Sequence, residues 1–178
     1  AMNATNRQLI AANATGCLEV FSTPYPETSW QIPWIHSLFG NTAAVVSLLE
    51  AVMKQDPNHA GALHLYVHAV EASADPHRGV AAADRLRELI PGSGHLVHMP
   101  AHIYYRVGLY RESLDANKQA IAVDERYFKT SPSDPLYRSA YYPHNIHFLM
   151  VSAQMGGDAK TAIEAAAKLD ASMPVEVV

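Results

Sequence analysis

The sequence predicts an all-helical protein, an array of antiparallel helix pairs behind an irregular N-terminal segment. Three observations carry this expectation. Hydrophobic residues make up 49% of the 178 and are dominated by Ala, Leu, Val and Ile, with only 8% aromatics, a palette suited to closely packed helices. From Asn41 onward, short helical patterns alternate with turn signals at a steady beat. Finally, HLYVHAVEA at residue 64 aligns with HMPAHIYYR at residue 98, so that His64 falls over His98 and His68 over His102 at an offset of 34.

Taken in order, residues 3 to 20 carry an irregularly periodic apolar pattern (Leu9, Ile10, Cys17, Leu18, Val20) that reads as a helix. FSTPYPETSWQIPWIHSLFG then gathers three prolines, both tryptophans, two phenylalanines and a tyrosine into an irregular segment covering one end of the core. In NTAAVVSLLEAVMKQDPNHAG, Val45, Leu48, Leu49 and Val52 share a face, and Asp56-Pro57-Asn58 closes the helix. ALHLYVHAVEA is the next helix, ending at Ala74-Asp75-Pro76, and GVAAADRLRELIPGSG follows with Leu86, Leu89 and Ile90 together. HMPAHIYYRVG ends at Gly108, and its proline belongs in a first turn, which starts that helix near Val97 and leaves His95 before it. RESLDANKQAIAVDERYF is another helix, KTSPSDPLYRSAYYP a proline-bearing connection, and Gly156-Gly157 the turn of a last pair. The chain divides into residues 1–40 and a repeat-like part at 41–178, within one domain.

The 34-residue helix-turn-helix period resembles the tetratricopeptide repeat over about residues 41 to 174. RVGLYRESLDANKQAI matches it best, with Gly108 and Tyr110 like the family's turn glycine and packing tyrosine, and Ser113 and Ala120 at its small positions. QMGGDAKTAIEAAAKL repeats the pattern through Gly157, Ala162 and Leu169, and Pro57 stands where a closing proline falls. The stretch around Asp75 lacks the turn glycine, the tryptophan of each first helix is absent, and the connection from Lys129 to Pro143 is too long. The resemblance implies an α-solenoid with a right-handed superhelical twist, and a concave groove that binds a peptide or protein partner. Blocks such as GHLVHMPAHIYYRVG and YYPHNIHF are also similar to longer bacterial tetratricopeptide proteins of unassigned activity, of which this chain would be the C-terminal part. A lost N-terminal domain or self-association through the apolar end MPVEVV follows as an expectation.

The charge of −4 with no Lys/Arg cluster gives no electrostatic footprint for nucleic acid or an anionic membrane. No apolar run approaches the roughly 18 to 20 residues of a membrane span, so a cytoplasmic location is expected. Cys17 is the only cysteine, which excludes an intrachain disulfide and a thiolate cluster. A metal would be held by His, Asp or Glu. No GxSxG, GxGxxG or P-loop pattern occurs.

The histidines are the chemical signal. His64 and His68, like His98 and His102, are four residues apart, so each pair projects from one helix face. On adjacent helices roughly 8 to 10 Å apart, the four imidazoles converge, which suits a divalent transition metal such as Zn, Cu, Ni or Fe. Glu71 extends that face as a ligand, an orienting group or a base. His144 and His147, beside Pro143, repeat the spacing of His95 and His98 and reach the same groove if the long connection restores register. Tyr105 is a further ligand-binding candidate through hydrogen bonding or stacking. A buried imidazole bonded to a carbonyl explains any single one of these residues. His36, His59 and His77 read as structural or solvated. The expectations are thus a peptide-binding scaffold with a histidine-lined groove, a metal-binding groove able to host catalysis, or an array whose histidines are satisfied in its core.

Overall fold

A computed structural model describes residues 42–131 and 135–173. The helix expected at residues 3 to 20, the aromatic segment with His36, and the end PVEVV lie outside the described residues.

Helix α1 (Thr42–Gln55) buries Val46, Leu49 and Val52, a spacing of three residues that keeps one stripe inward. Asp56 and Pro57 end it. Helix α2 (Ala60–Glu71) starts at His59, whose Nδ1 accepts a hydrogen bond from the Ala62 N–H at 3.0 Å. This histidine does the work usually given to Ser or Asp at a helix start. A 3-10 turn (Pro76–Gly79) leads into α3 (Val80–Leu89), which buries Ala82, Ala83 and Leu86.

The stretch GHLVHMPAHIYYR forms two short helices, α4 (Gly94–His98) and α5 (Pro100–Arg106), meeting at Met99. Pro100 has no N–H to continue the ladder, and its ring crowds the carbonyl four residues back. The sequence expectation of one helix beginning near Val97 is therefore corrected: the helical turn starts at Gly94 and includes His95. Gly108, at φ 82°, reverses the chain in the left-handed region that glycine adopts without a Cβ clash. Helix α6 (Tyr110–Thr130) follows. Part of the connection after it is a π-helical turn (Tyr137–Tyr141) continuing into α7 (Tyr142–Met155). Gly157, at φ 77°, turns the chain again, and Asp158 caps α8 (Ala159–Ser172) by accepting from the Thr161 N–H at 3.0 Å and its hydroxyl at 2.6 Å.

Among the described residues all regular structure is helical. Helices pack mainly on sequence neighbours: α1 on α2, α2 on α3, α3 on α5, α6 on α4, α5 and α7, and α7 on α8. The apolar core falls into two clusters. One joins Leu49, Val52, Leu63, Val67, Leu86, Met99 and Ile103 from α1 to α5. The other joins Leu114, Ile121, Ile146, Leu149 and Ala165 from α6 to α8. A polar seam follows α6 between them: on one side the Ser113 hydroxyl donates to the Ala101 carbonyl at 3.3 Å and Asn117 meets His98 at 2.7 Å, and on the other Ser113 meets the Ser152 hydroxyl at 2.8 Å and Asp124 accepts from Tyr137 Oη at 2.7 Å and Asn145 Nδ2 at 2.8 Å.

Gly94 shows how tightly α4 is seated. A Cβ at this position would stand 1.8 Å from Asp124 Oδ1 on α6, so only glycine lets the helix start lie against that carboxylate. Gly94→Ala is expected to destabilise the protein by about 1–3 kcal/mol, the usual range for overpacking. Thermal melting of the variant checks this, and an unchanged melting temperature would show that α4 does not rest on Asp124.

Candidate functional site

Six imidazoles from four helices gather at the seam: His64 and His68 of α2, His95 and His98 of α4, His102 of α5 and His144 of α7. They sort into two groups of three. In the first, His64 Nε2 stands 3.2 Å from both His68 Nε2 and His95 Nε2. In the second, His102 Nε2 stands 2.9 Å from His98 Nε2 and 3.5 Å from His144 Nε2. Within each group the ligand-capable atoms all lie within 4.8 Å of one another. The two groups adjoin, with ring centroids 6.0 Å apart between His68 and His102 and 6.3 Å between His95 and His98.

The second group is firmly oriented. His98 is fully buried, and its Nδ1 faces Asn117 Oδ1 at 2.7 Å. The amide of Asn117 cannot turn over without loss, because its Nδ2 donates to the Ser113 carbonyl at 2.8 Å. Asn117 Oδ1 can only accept, so the proton is on His98 Nδ1. His102 Nδ1 faces Glu71 Oε1 at 2.8 Å, and an ionised carboxylate likewise only accepts. Burial pushes the Glu71 pKa upward, but the hydrogen bond from His102, with the electrostatic pull of His102, His68 and Arg106, outweighs it and leaves the carboxyl below its ordinary pKa. Phe148 lies against His98, His102 and His144, its ring centroid 5.1, 4.5 and 5.0 Å from theirs. In the first group, Tyr141 meets His95 edge-on at 5.1 Å, and His95 Nδ1 is buried without a hydrogen-bond partner.

Burial dominates the electrostatics. Desolvation, followed by repulsion from neighbouring imidazoles, lowers His64, His68, His95 and His144 to about 4. His98 is lowered well below its ordinary value for the same two reasons. These five rings are neutral at pH 7, so each carries one nitrogen lone pair.

The partition differs from the four-imidazole set expected from sequence. His64 and His68 are grouped with His95, and His98 and His102 with His144, so the two pairs at offset 34 are not one set. The segments they sit on also differ: α2 runs unbroken, while its counterpart is split at Met99. Sequence reasoning set His95 aside because it placed that residue before its helix. It passed over Asn117 entirely, for nothing in LDANKQA marks an amide that orients a ring 19 residues away. His147 is exposed and lies outside both groups, lining with His144, Met150 and Leu169 an open depression of about 570 Å³ between α7 and α8. Tyr105 stands behind Phe148, their centroids 6.0 Å apart.

No family model matches the chain. It is similar, over short stretches, to pyruvate synthase subunit PorB from several organisms. The identity is 55% over 53 residues with the protein of Methanocaldococcus jannaschii, covering 30% of this chain and 18% of that relative. It is 64% over 45 residues with that of Methanosarcina barkeri (25% and 15%), and 51% over 41 residues with that of Thermotoga maritima (23% and 13%). The chain thus spans less than a fifth of the length of these relatives. Most of the described helical body lies outside any one of the matches.

These names correct the sequence reading. The relatives are enzyme subunits rather than tetratricopeptide proteins, so both the repeat-family resemblance and the peptide-binding scaffold role inferred from it are overturned. They lend no support to the alternative of a metal-binding groove as the chain's function. The degenerate small-residue pattern that suggested the family is what any closely packed run of short helices requires.

Neutral buried imidazoles make stability depend on pH. Unfolded, these rings titrate near 6.5; folded, four of them titrate near 4. Between those values the unfolded chain binds more protons, so stability present above pH 6.5 is lost as pH falls toward 4. A loss of several kcal/mol, at about 2–4 °C per kcal/mol for a chain of this size, lowers the melting temperature by on the order of 10 °C between pH 7 and pH 4. Calorimetry across that range checks it, and a level profile would contradict a neutral cluster.

Proposed function

We propose that this chain works as a component of a pyruvate synthase-type enzyme, joining its assembly through the stretch it shares with the PorB subunits. The observation that carries the reading is the identity itself, 50–64% over 41 to 54 residues in relatives from several archaea and a bacterium. Helix propensity alone asks only for residue classes, so agreement at half or more of the positions points to shared contacts or shared chemistry.

The helix-on-neighbour packing supports an open array of antiparallel pairs. On α7 and α8, Met155 and Ile163 are exposed, Ile163 by 71%, and the depression beside His147 is lined by Pro143, Met150 and Leu169. An apolar face of this kind favours a protein partner. No described helix is long and apolar enough to cross a membrane.

Co-expression with the remaining subunits of the Methanosarcina barkeri pyruvate synthase tests the reading. The chain is expected to co-elute with them in gel filtration and to compete with PorB for them. Elution of the chain by itself, with PorB assembly undisturbed by an excess of it, would overturn the proposal.

A further inference from the structure

We propose that the Nε2 atoms of His98, His102 and His144 form a site for one first-row transition-metal cation, with Asn117 and Glu71 aiming two of the three ligands. The inference stands on side-chain geometry alone and is independent of the pyruvate synthase reading.

Asn117 Oδ1, its orientation fixed by the bond from Nδ2 to the Ser113 carbonyl, accepts from His98 Nδ1. Glu71 accepts from His102 Nδ1. With both Nδ1 atoms engaged in these bonds, the Nε2 atoms are the ones left to face each other, at 2.9 Å. Two ring nitrogens this close are held together by a shared cation, a proton or a metal.

A bridging proton would satisfy two nitrogens, yet a third converges on the same place, His144 Nε2 at 3.5 Å from His102 Nε2. Nitrogens bound at about 2.05 Å to a tetrahedral metal stand about 3.3 Å apart, and the two distances, 2.9 and 3.5 Å, fall on either side of that value. A carboxylate and an amide oxygen on the far ring nitrogens are the supports that metal-bound histidines characteristically have. The carboxylate of Glu71 also offsets the charge that the cation brings among buried neutral rings. Phe148 walls all three imidazoles on one side, which holds their planes.

Three imidazoles without a thiolate select Zn(II), Co(II), Ni(II), Cu(II) or Fe(II) over Ca(II), Mg(II) and Cu(I). Three protein ligands leave a coordination position for water or a small ligand, as in reactive rather than purely structural zinc sites. This set is not the one the sequence suggested: His64 and His68 belong to the neighbouring group.

The test uses the full chain, purified without a polyhistidine tag, stripped with chelator and titrated with Co(II) and Zn(II). To separate the two groups, the titration is repeated in the double variant His64→Gln with His95→Gln. Expected are one tight equivalent that persists in this background, visible d–d absorption from Co(II), and its loss in His102→Gln. Glu71→Gln is expected to weaken binding about 10–100-fold, and His147→Gln to leave it unchanged. Circular dichroism confirms that each variant is folded; should His102→Gln fail to fold, Glu71→Gln and His144→Gln carry the comparison. The proposal is overturned if the double variant binds no equivalent, or if binding is indifferent to both Glu71→Gln and His144→Gln.

Discussion

The hydrogen bond between His98 and Asn117 is the constraint on which the rest depends. It is wholly buried, it joins the five-residue helix α4 to the long helix α6, and it decides which nitrogen of His98 carries the proton. A buried polar pair of this kind is costly to break, because removing one partner strands the other away from water at about 1–3 kcal/mol. Helix α4 is too short to hold its position by its own hydrogen bonds. It is fixed instead at both ends, by Gly94 against Asp124 and by His98 against Asn117. His95 and His98 are thereby presented to α2, α5 and α7, and both imidazole groups follow.

The seam explains why so many histidines can be buried together. A core made only of apolar contacts would run unbroken from α1 to α8, yet here it divides into two clusters with polar groups between them. Each histidine at the seam brings a polar ring into a place where unpaired polar atoms are penalised. The rings meet this by the loss of charge on five of them, by pairing nitrogen to nitrogen in the first group, and by leaning on Phe148 and Tyr141. Glu71 and Asn117 then break the symmetry between ring nitrogens, turning a stack of similar rings into a directed arrangement.

Much of the helical content was legible, because the stripes read from the letters, Val45, Leu48, Leu49 and Val52 in α1 and Leu86 and Leu89 in α3, include the buried Leu49, Val52 and Leu86. The turns at Gly108 and Gly157 were legible for a similar reason, since only glycine is at ease at φ near 80°. What could not be read was the grouping of the histidines. A four-residue spacing puts two rings on one face, but which third ring joins them depends on how α4 breaks at Met99 and where α7 comes to rest. Asn117 was invisible for the same reason, its role arising from a contact between residues far apart in sequence. The family reading failed differently: small residues at regular intervals satisfy helix packing generally, whereas the matches to pyruvate synthase subunits rest on residue identity.

The central claim is that His98 and His102 both carry a proton on Nδ1, directed at Asn117 and Glu71, so that their Nε2 atoms meet. Long-range 1H–15N correlation spectra of the imidazoles at pH 7 test this directly. Both residues are expected to show a protonated Nδ1. A proton-free Nδ1 on either ring would contradict the orientation given by Asn117 and Glu71, and with it the account of the site.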